Sequence, residues 1–402
     1  MFGRKHTKVE IRIPRLSGSA DGPRFSANLV AAAAVKADRL LSPEGEGSDV
    51  ERLNSAGAGK WVDADPVTMI AVKRALAWHH ASEGLFEPAI GPVKALWDAA
   101  AASPGAPPEE REIASALELS RSSWLEPDYA GSRLSWKRGG CRLELGGIAE
   151  GVAVDLALET LASRGVEHAS VRLGGAVASL GADTKTFPPT PWDKGILDPR
   201  GKALGQAARG GVPGSAPEWR AAAFCGYPAG EGGGNADGGG HAHGRGDGRG
   251  RVRSGERGQA GGRERDRGGP GEPGRCRCCG GCGRRFRLMD PVSGRPLPAG
   301  VSAAVYHPSS AADASAAAVV MSVLGPRGAE RFLSEKGRGC FPEGVLALVF
   351  TPGPEGSLST TSLSLDCGGK LSVSRTLAPP ADRDTDRGSV SVPFFPLTAL
   401  LS

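Results

Sequence analysis

No stretch of the 402-residue sequence approaches the roughly 18 consecutive apolar residues that a bilayer-spanning helix needs, so no membrane span is expected. The start, Met1-Phe2-Gly3-Arg4-Lys5-His6, also lacks the apolar core and small-residue cleavage site of a secretory signal, and runs directly into the strand-like Val9–Ile13. The expectation is a cytoplasmic protein. A disulfide framework is missing too. Four of the eight cysteines crowd between Cys276 and Cys282, while Cys141, Cys225, Cys340 and Cys367 stand far apart, which suits reduced thiols. The crowded four lack the second knuckle, across an ordered spacer, that a tetrahedral zinc site uses, although His241 and His243 lie upstream. Lysine is absent from Gly226 to Arg285, where twelve arginines face seven acidic residues, a net of +5 that equals the charge of the whole chain. The basic balance therefore belongs to one segment and does not argue for a nucleic-acid-binding fold. That segment has no aromatics interleaved with its arginines for bases to stack on; Tyr227 and Phe286 only flank it.

What is present divides by composition into four pieces: 1–205, globular in character; 206–285, rich in glycine and arginine; 286–352, globular again; and 353–402, a Ser/Thr/Pro-rich tail expected to be loosely ordered. The second piece is too poor in apolar residues to offset ordering entropy. It reads either as a disordered insert or as a GC-rich coding region translated in the wrong frame. In the first piece, Asp65-Pro66 starts a helix whose apolar residues recur at helical spacing until Gly84. Trp136–Leu145 reads as two strand-like pieces around Gly139-Gly140. A helix follows from about Ile148 to Arg164 with Gly165 beyond it, and Val166–Leu173 alternates as a strand. The fold class is α+β, a β-sheet core with flanking helices. His79-His80, near a helix end, suits a capping role, and Trp97 reads equally as a core residue or one beside a ligand.

The most informative segment is Glu144-Leu145-Gly146-Gly147-Ile148-Ala149-Glu150-Gly151-Val152-Ala153-Val154-Asp155. Two glycines after a strand allow a tight turn and close approach of a ligand, and the helix behind them points its positive end at a phosphate. Alone, such a turn serves packing as readily as binding. It is flanked, in order, by Ser48–Asn54, by Gly84-Leu85-Phe86-Glu87-Pro88, by Leu173-Gly174-Gly175 and by Pro191–Pro199. Beyond the glycine-rich stretch come Met289-Asp290-Pro291-Val292-Ser293-Gly294 and the alanine-rich run that opens with Ala312-Asp313-Ala314-Ser315 and closes with Leu324-Gly325-Pro326.

This ordered series resembles the ApbE family, the FAD:protein FMN transferases, over about 2–205 and 286–352. The resemblance implies an enzyme that takes FAD as substrate with Mg²⁺ at its pyrophosphate and breaks the phosphoanhydride. FMN is left on a threonine of an acceptor flavoprotein and AMP is released. It further implies flavin or FAD contacts at Phe2, Leu85, Phe86, Glu87, Gly146, Val152 and Leu288. The metal would be held by the Ala149 carbonyl and Asp313, with Ala317 at a further liganding position. No residue is assigned as a catalytic acid or base.

The departures bear on activity. A Ser-Gly-x-Tyr strand pair expected after Asp198-Pro199 is replaced by the glycine-rich stretch, and Arg287 stands where a histidine is usual. Asp313 lies twelve residues before Gly325, somewhat farther than in the family's metal helix, and alanines occupy 316 and 317 where a threonine would follow. The alternative implied is a flavin-binding relative without catalysis, its metal site decayed.

Overall fold

The computed structural model describes residues 9–13, most of 32–102, 107–184, 190–192, 220–226, 288–354 except 299, and 357–378. The fold is α+β. After β1 (Val9–Arg12) come α1 (Asp49–Ser55), β2 (Val62–Asp63), α2 (Pro66–Ala81), α3 (Gly91–Ala102) and α4 (Glu110–Leu119). Then follow β3 (Leu125–Asp128), β4 (Arg133–Trp136), α5 (Ala149–Ser163), β5 (Ala169–Leu173) and β6 (Ala176–Leu180). Beyond a two-residue pair, β7 (Ala182–Asp183) with β8 (Thr190–Pro191), lie β9 (Ala221–Gly226), β10 (Met289–Asp290), β11 (Arg295–Pro296) and β12 (Ser302–His307). The chain continues through α6 (Ala311–Cys340), β13 (Val345–Pro352), β14 (Leu358–Leu365) and β15 (Leu371–Ala378).

Eight strands form one antiparallel sheet in the order β1-β5-β6-β9-β12-β13-β14-β15. Its two faces are apolar because side chains alternate along each strand. On β12, Ala303 and Val305 join the main core with α5 and α6, whereas Ala304 and Tyr306 join Val177, Ala222, Leu348 and Phe350 on the other face. A second, three-stranded sheet, β2-β4-β3, sits with α1 and α2 and contributes Leu134 and Trp136 to the main core.

Local signals explain the helices that frame the site. In α2 the Asp65 carboxylate accepts from the Val67 N–H (3.0 Å), Pro66 takes the first turn, and Gly84 follows with φ of 88°. On α5, Gly165 follows the C-cap Arg164 with φ of 77°, as the sequence predicts. The two central helices touch at Gly151. A Cβ there would lie 2.3 Å from the Ala311 carbonyl oxygen and 2.6 Å from Ala312 Cα.

As the sequence predicts, the alanine-rich helix leaves helical geometry at Leu324-Gly325-Pro326: Gly325 takes φ of 64° and ψ of −178°, and Pro326, tolerated in a first turn, opens a second helical segment that runs to Cys340 within α6. Three expectations need correction. After β4 the second strand-like piece, Cys141–Leu145, forms no ladder. Asn54 clamps it from the side, accepting from the Leu143 N–H (2.6 Å) and donating to the Leu143 carbonyl (3.0 Å). Within 206–285, Ala221–Gly226 is an inner strand of the large sheet, because its short Ala/Phe run fits between β6 and β12. The tail supplies β14 and β15, whose leucines alternate with Ser and Thr around the Asp366–Gly369 turn. The remainder of 206–285 lies outside the described residues.

His307, at the end of β12, is buried, and its Nδ1 accepts from the backbone N–H groups of Ser309 (3.2 Å) and Ser310 (3.1 Å). That fixes a neutral ring. Burial holds its pKa below the ordinary 6.5, although Asp313 and Glu343 pull it upward.

Two outcomes follow for stability. Gly151→Ala should cost about 1–3 kcal/mol by overpacking the α5–α6 contact, read as a lower melting temperature in calorimetry. Gly139→Ala, whose added Cβ meets nothing within 4 Å, should leave it unchanged. For His307, the unfolded chain takes up the proton that the folded ring refuses. Stability is therefore complete above the ordinary histidine pKa of 6.5 and is lost as pH falls through it. Melting temperatures recorded between about pH 7.5 and 5.5 should show this fall, and His307→Asn, which can still accept from Ser310, should flatten it.

Candidate functional site

The site is built around the turn Gly146-Gly147. The chain enters it through the segment that Asn54 clamps and leaves it into α5. Gly146 is exposed, and its N–H donates to Glu144 Oε1 (3.0 Å). Burial pushes the Glu144 carboxyl up, while Lys94, 3.8 Å away, and the Gly146 N–H pull it down. At Gly147 a Cβ would come within 3.0 Å of Val319 Cγ2 and 3.1 Å of Phe86 Cε2, so this glycine lets the turn lie against the Phe86 ring and α6. Ile148 occupies the cap position of α5 and offers no side-chain cap, which leaves the positive end of the helix to other partners.

The first turn of α6 is held by a carboxylate from α5. Asp155 accepts from the N–H groups of Ala311 (2.7 Å) and Ala312 (3.1 Å), from Ser310 Oγ (2.8 Å) and from Arg74 (3.1 Å). Ser310 Oγ in turn accepts from the Asp313 N–H (3.0 Å) and from Arg74 (2.8 Å). Burial raises the Asp155 carboxyl against the pull of these donors. Asp313, half-buried, receives the Trp78 indole N–H on Oδ1 at 2.8 Å. Since Gly151 meets Ala311 and Ala312, the first turns of α5 and α6 lie side by side, which sets Ala149 and Asp313 in neighbouring turns.

Other residues named from the sequence fall into place around this core. Phe86 is buried and Leu85 is half-buried against the main core. Glu87 is already engaged: its carboxylate accepts from the Ala89 N–H (2.8 Å) and the Ser122 hydroxyl and lies 3.3 Å from His79. Val152 is buried in the core behind the turn. Leu288 is buried at the foot of the β10–β11 hairpin, where its carbonyl accepts from Leu297. Asp290 organises that hairpin, accepting from the Val292 N–H (2.9 Å) and Ser293 Oγ (2.6 Å). Trp97 is a core residue that donates to the Gly294 carbonyl (2.7 Å). His80 Nδ1 lies 2.6 Å from the Leu76 carbonyl, the capping contact expected at the end of α2. Phe2 lies outside the described residues.

The donors that could serve a metal ion here are the Asp313 carboxylate and the Ala149 carbonyl. Ala317 is fully buried and has no side-chain donor. Among the described residues no group of three or more His, Cys, Asp or Glu is placed to hold a metal. One carboxylate with oxygen partners fits Mg²⁺, which keeps several waters and leans on phosphate oxygens, better than a cage-bound cation. Arg74 and Trp78 carry no motif signal in the sequence, and Asp155, the last residue of the glycine-turn segment, is assigned no role by it. A signal for the α6 cap did exist, since Ser310 followed three residues later by Asp313 is a capping pattern.

Comparison with known proteins identifies the family and the fold. A FAD:protein FMN transferase of Rhodobacter capsulatus is 30% identical over 154 residues, covering 38% of this chain and 28% of that protein. One of Treponema pallidum (strain Nichols) is 27% identical over 174 residues, covering 41% and 48%. The match thus spans less than half the length of these curated relatives. The flavin transferase ApbE of Vibrio cholerae superposes with a TM-score of 0.60 at 18% identity over 89% of this chain and 93% of that one. For the apo flavinyl transferase ApbE of Pseudomonas stutzeri the TM-score is 0.58 at 22% identity, over 89% and 94%. These solved structures share the fold. The ApbE family model itself matches residues 6–216, more than half of the sequence and including the glycine turn, α5 and its capping Asp155. The chain belongs to the ApbE family.

Proposed function

We propose that this protein is a Mg²⁺-dependent FAD:protein FMN transferase that moves FMN from FAD to a threonine of an acceptor flavoprotein and releases AMP. The observation that carries the reading is the meeting of the Gly146-Gly147 turn, the Phe86 ring and the paired first turns of α5 and α6, with Asp313 on the latter. The exposed Gly146 and the uncapped start of α5 suit a pyrophosphate, and Phe86 with Leu85 suits the flavin side. The Asp313 carboxylate and the Ala149 carbonyl would hold magnesium, which when bound neutralises charge on the pyrophosphate oxygens. The threonine oxygen, its proton passing to water, bonds to the phosphorus that stays with FMN, and the bond from that phosphorus to the bridging oxygen breaks as AMP leaves. In such a phosphoryl transfer the protein contributes mainly position and charge. A non-catalytic flavin-binding relative is the second reading, favoured by the buried Ala317 that supplies no hydroxyl. The cytoplasm is the proposed location, consistent with the lack, among the described residues, of any helix long and apolar enough to cross a membrane.

Calorimetric titration should show tighter binding of FAD than of FMN or AMP, since the site offers features for both the flavin and the pyrophosphate; equal, weak heats for all three would remove the flavin reading. Asp313→Ala should abolish Mg²⁺-dependent release of AMP from FAD while weakening FAD binding far less, because affinity is spread over the whole cofactor whereas the cation acts on developing charge. AMP release is followed chromatographically at millimolar Mg²⁺. FAD binding without AMP release in the unmutated chain would select the non-catalytic reading, and undiminished transfer by Asp313→Ala would displace the metal from Asp313.

A further inference from the structure

We infer that Trp78 is a positioning residue for the metal-binding carboxylate: its indole N–H fixes Asp313 Oδ1 and leaves Oδ2 as the oxygen available to a cation. This rests on the proposed role of Asp313. The indole donates to Oδ1 at 2.8 Å, and among the described residues nothing donates to Oδ2. Trp78 itself has little freedom to move. Only 6% of it is exposed, and its ring centroid lies 5.7 Å from that of Phe341, which in turn sits 6.0 Å from His307. Its backbone carbonyl accepts from Ser82 Oγ (2.7 Å), which closes the end of α2. The Asp313 backbone is fixed separately by Ser310 Oγ, so main chain and carboxylate are held from two sides.

The chemistry of the donor matters. An indole N–H donates and never accepts, so it cannot itself become a ligand or take the proton of the carboxylate. Being neutral, it orients the carboxylate without cancelling the charge a cation requires, as a lysine or arginine in its place would. Removing a hydrogen-bond partner of a metal-binding group typically weakens the metal by about 10–100-fold. A tryptophan that merely satisfied its N–H with the nearest acceptor would, on removal, lower stability and leave metal dependence alone.

Trp78→Phe keeps an aromatic ring against Phe341 and deletes only the donor side of the indole. Mg²⁺ titrated calorimetrically into the FAD-loaded protein should bind roughly tenfold more weakly in this variant. The Mg²⁺ concentration for half-maximal AMP release should rise by a similar factor, more than the limiting rate falls, with FAD affinity retained. A lower melting temperature with unchanged Mg²⁺ half-saturation would overturn the inference and leave Trp78 a core residue. Asp313→Ala, run alongside, separates the two levels. If it removes Mg²⁺ binding and Trp78→Phe does not weaken it, the inference about Trp78 fails and the site stands. If Asp313→Ala binds Mg²⁺ as well as the unmutated protein, or the latter gives no Mg²⁺ heat, the placement of the metal fails and the role of Trp78 falls with it.

Discussion

Asp155 belongs to α5 by sequence and to α6 by function, since its carboxylate takes up the first free N–H groups of the later helix, at Ala311 and Ala312. Those groups have no partner within their own helix. An anion from a neighbouring helix satisfies them and also favours the positive end of the dipole. Arg74 then balances the charge and reaches Ser310, which caps Asp313. Hydrogen bonds to charged groups are worth roughly 1.5–3 kcal/mol each when intact, and leaving a buried member unpaired costs more. The network joins α2, α5 and α6, and every residue proposed to meet the metal stands on one of these helices or is held by one. The site is therefore only as well defined as this cap.

The same joint explains the small residues. Gly151 admits the Ala311 carbonyl where any Cβ would collide, and Ala311, Ala312, Ala314, Ala316, Ala317 and Ala318 are all fully buried. Close approach of α5 and α6 brings the first turn of one beside the first turn of the other. The carboxylate of Glu150, next to this contact, accepts from the Gly175 N–H (2.8 Å) and ties the start of α5 to the β5–β6 turn.

Much of this was legible in the residues, and the parts that were not share a cause. Helices with explicit punctuation came out well: Asp65-Pro66 and Gly84 bound α2, and Gly165 ends α5. Where a segment's structure depends on distant partners, composition misled. Ala221–Gly226 has no strong strand character and is surrounded by glycine, yet two neighbouring strands supply its ladder. The Leu/Ser alternation of 358–365 was visible, but the tail's serine and proline content outweighed it; the apolar face of α6 and β13 decides it. In the other direction, Cys141–Leu145 looked like a strand and is held by an asparagine 89 positions away and by the Pro88 carbonyl, which accepts from the Glu144 N–H. The site shows the same division. The glycine turn and Asp313 are motif residues, whereas Trp78 and Arg74 acquire their roles only through contacts more than 200 residues distant in sequence.

Ala317 brings packing and chemistry into direct conflict. It sits one turn beyond Asp313, in the stretch of α6 with the most buried alanines, and it is fully enclosed. A threonine there would carry its hydroxyl into the same space, and a buried hydroxyl without a partner costs about 1–3 kcal/mol. In a protein that keeps a cation at this turn, the cation is that partner; without one, alanine is the more stable residue. Under the proposed function the alanine would shift the burden of holding a metal onto the single carboxylate of Asp313, waters and substrate oxygens. Mg²⁺ is the cation that best accepts such a sparse protein shell, because it retains water and seeks phosphate. Under the proposed arrangement the orientation of that one carboxylate, fixed by the Ser310 cap and the Trp78 indole, would decide how tightly the cation is held.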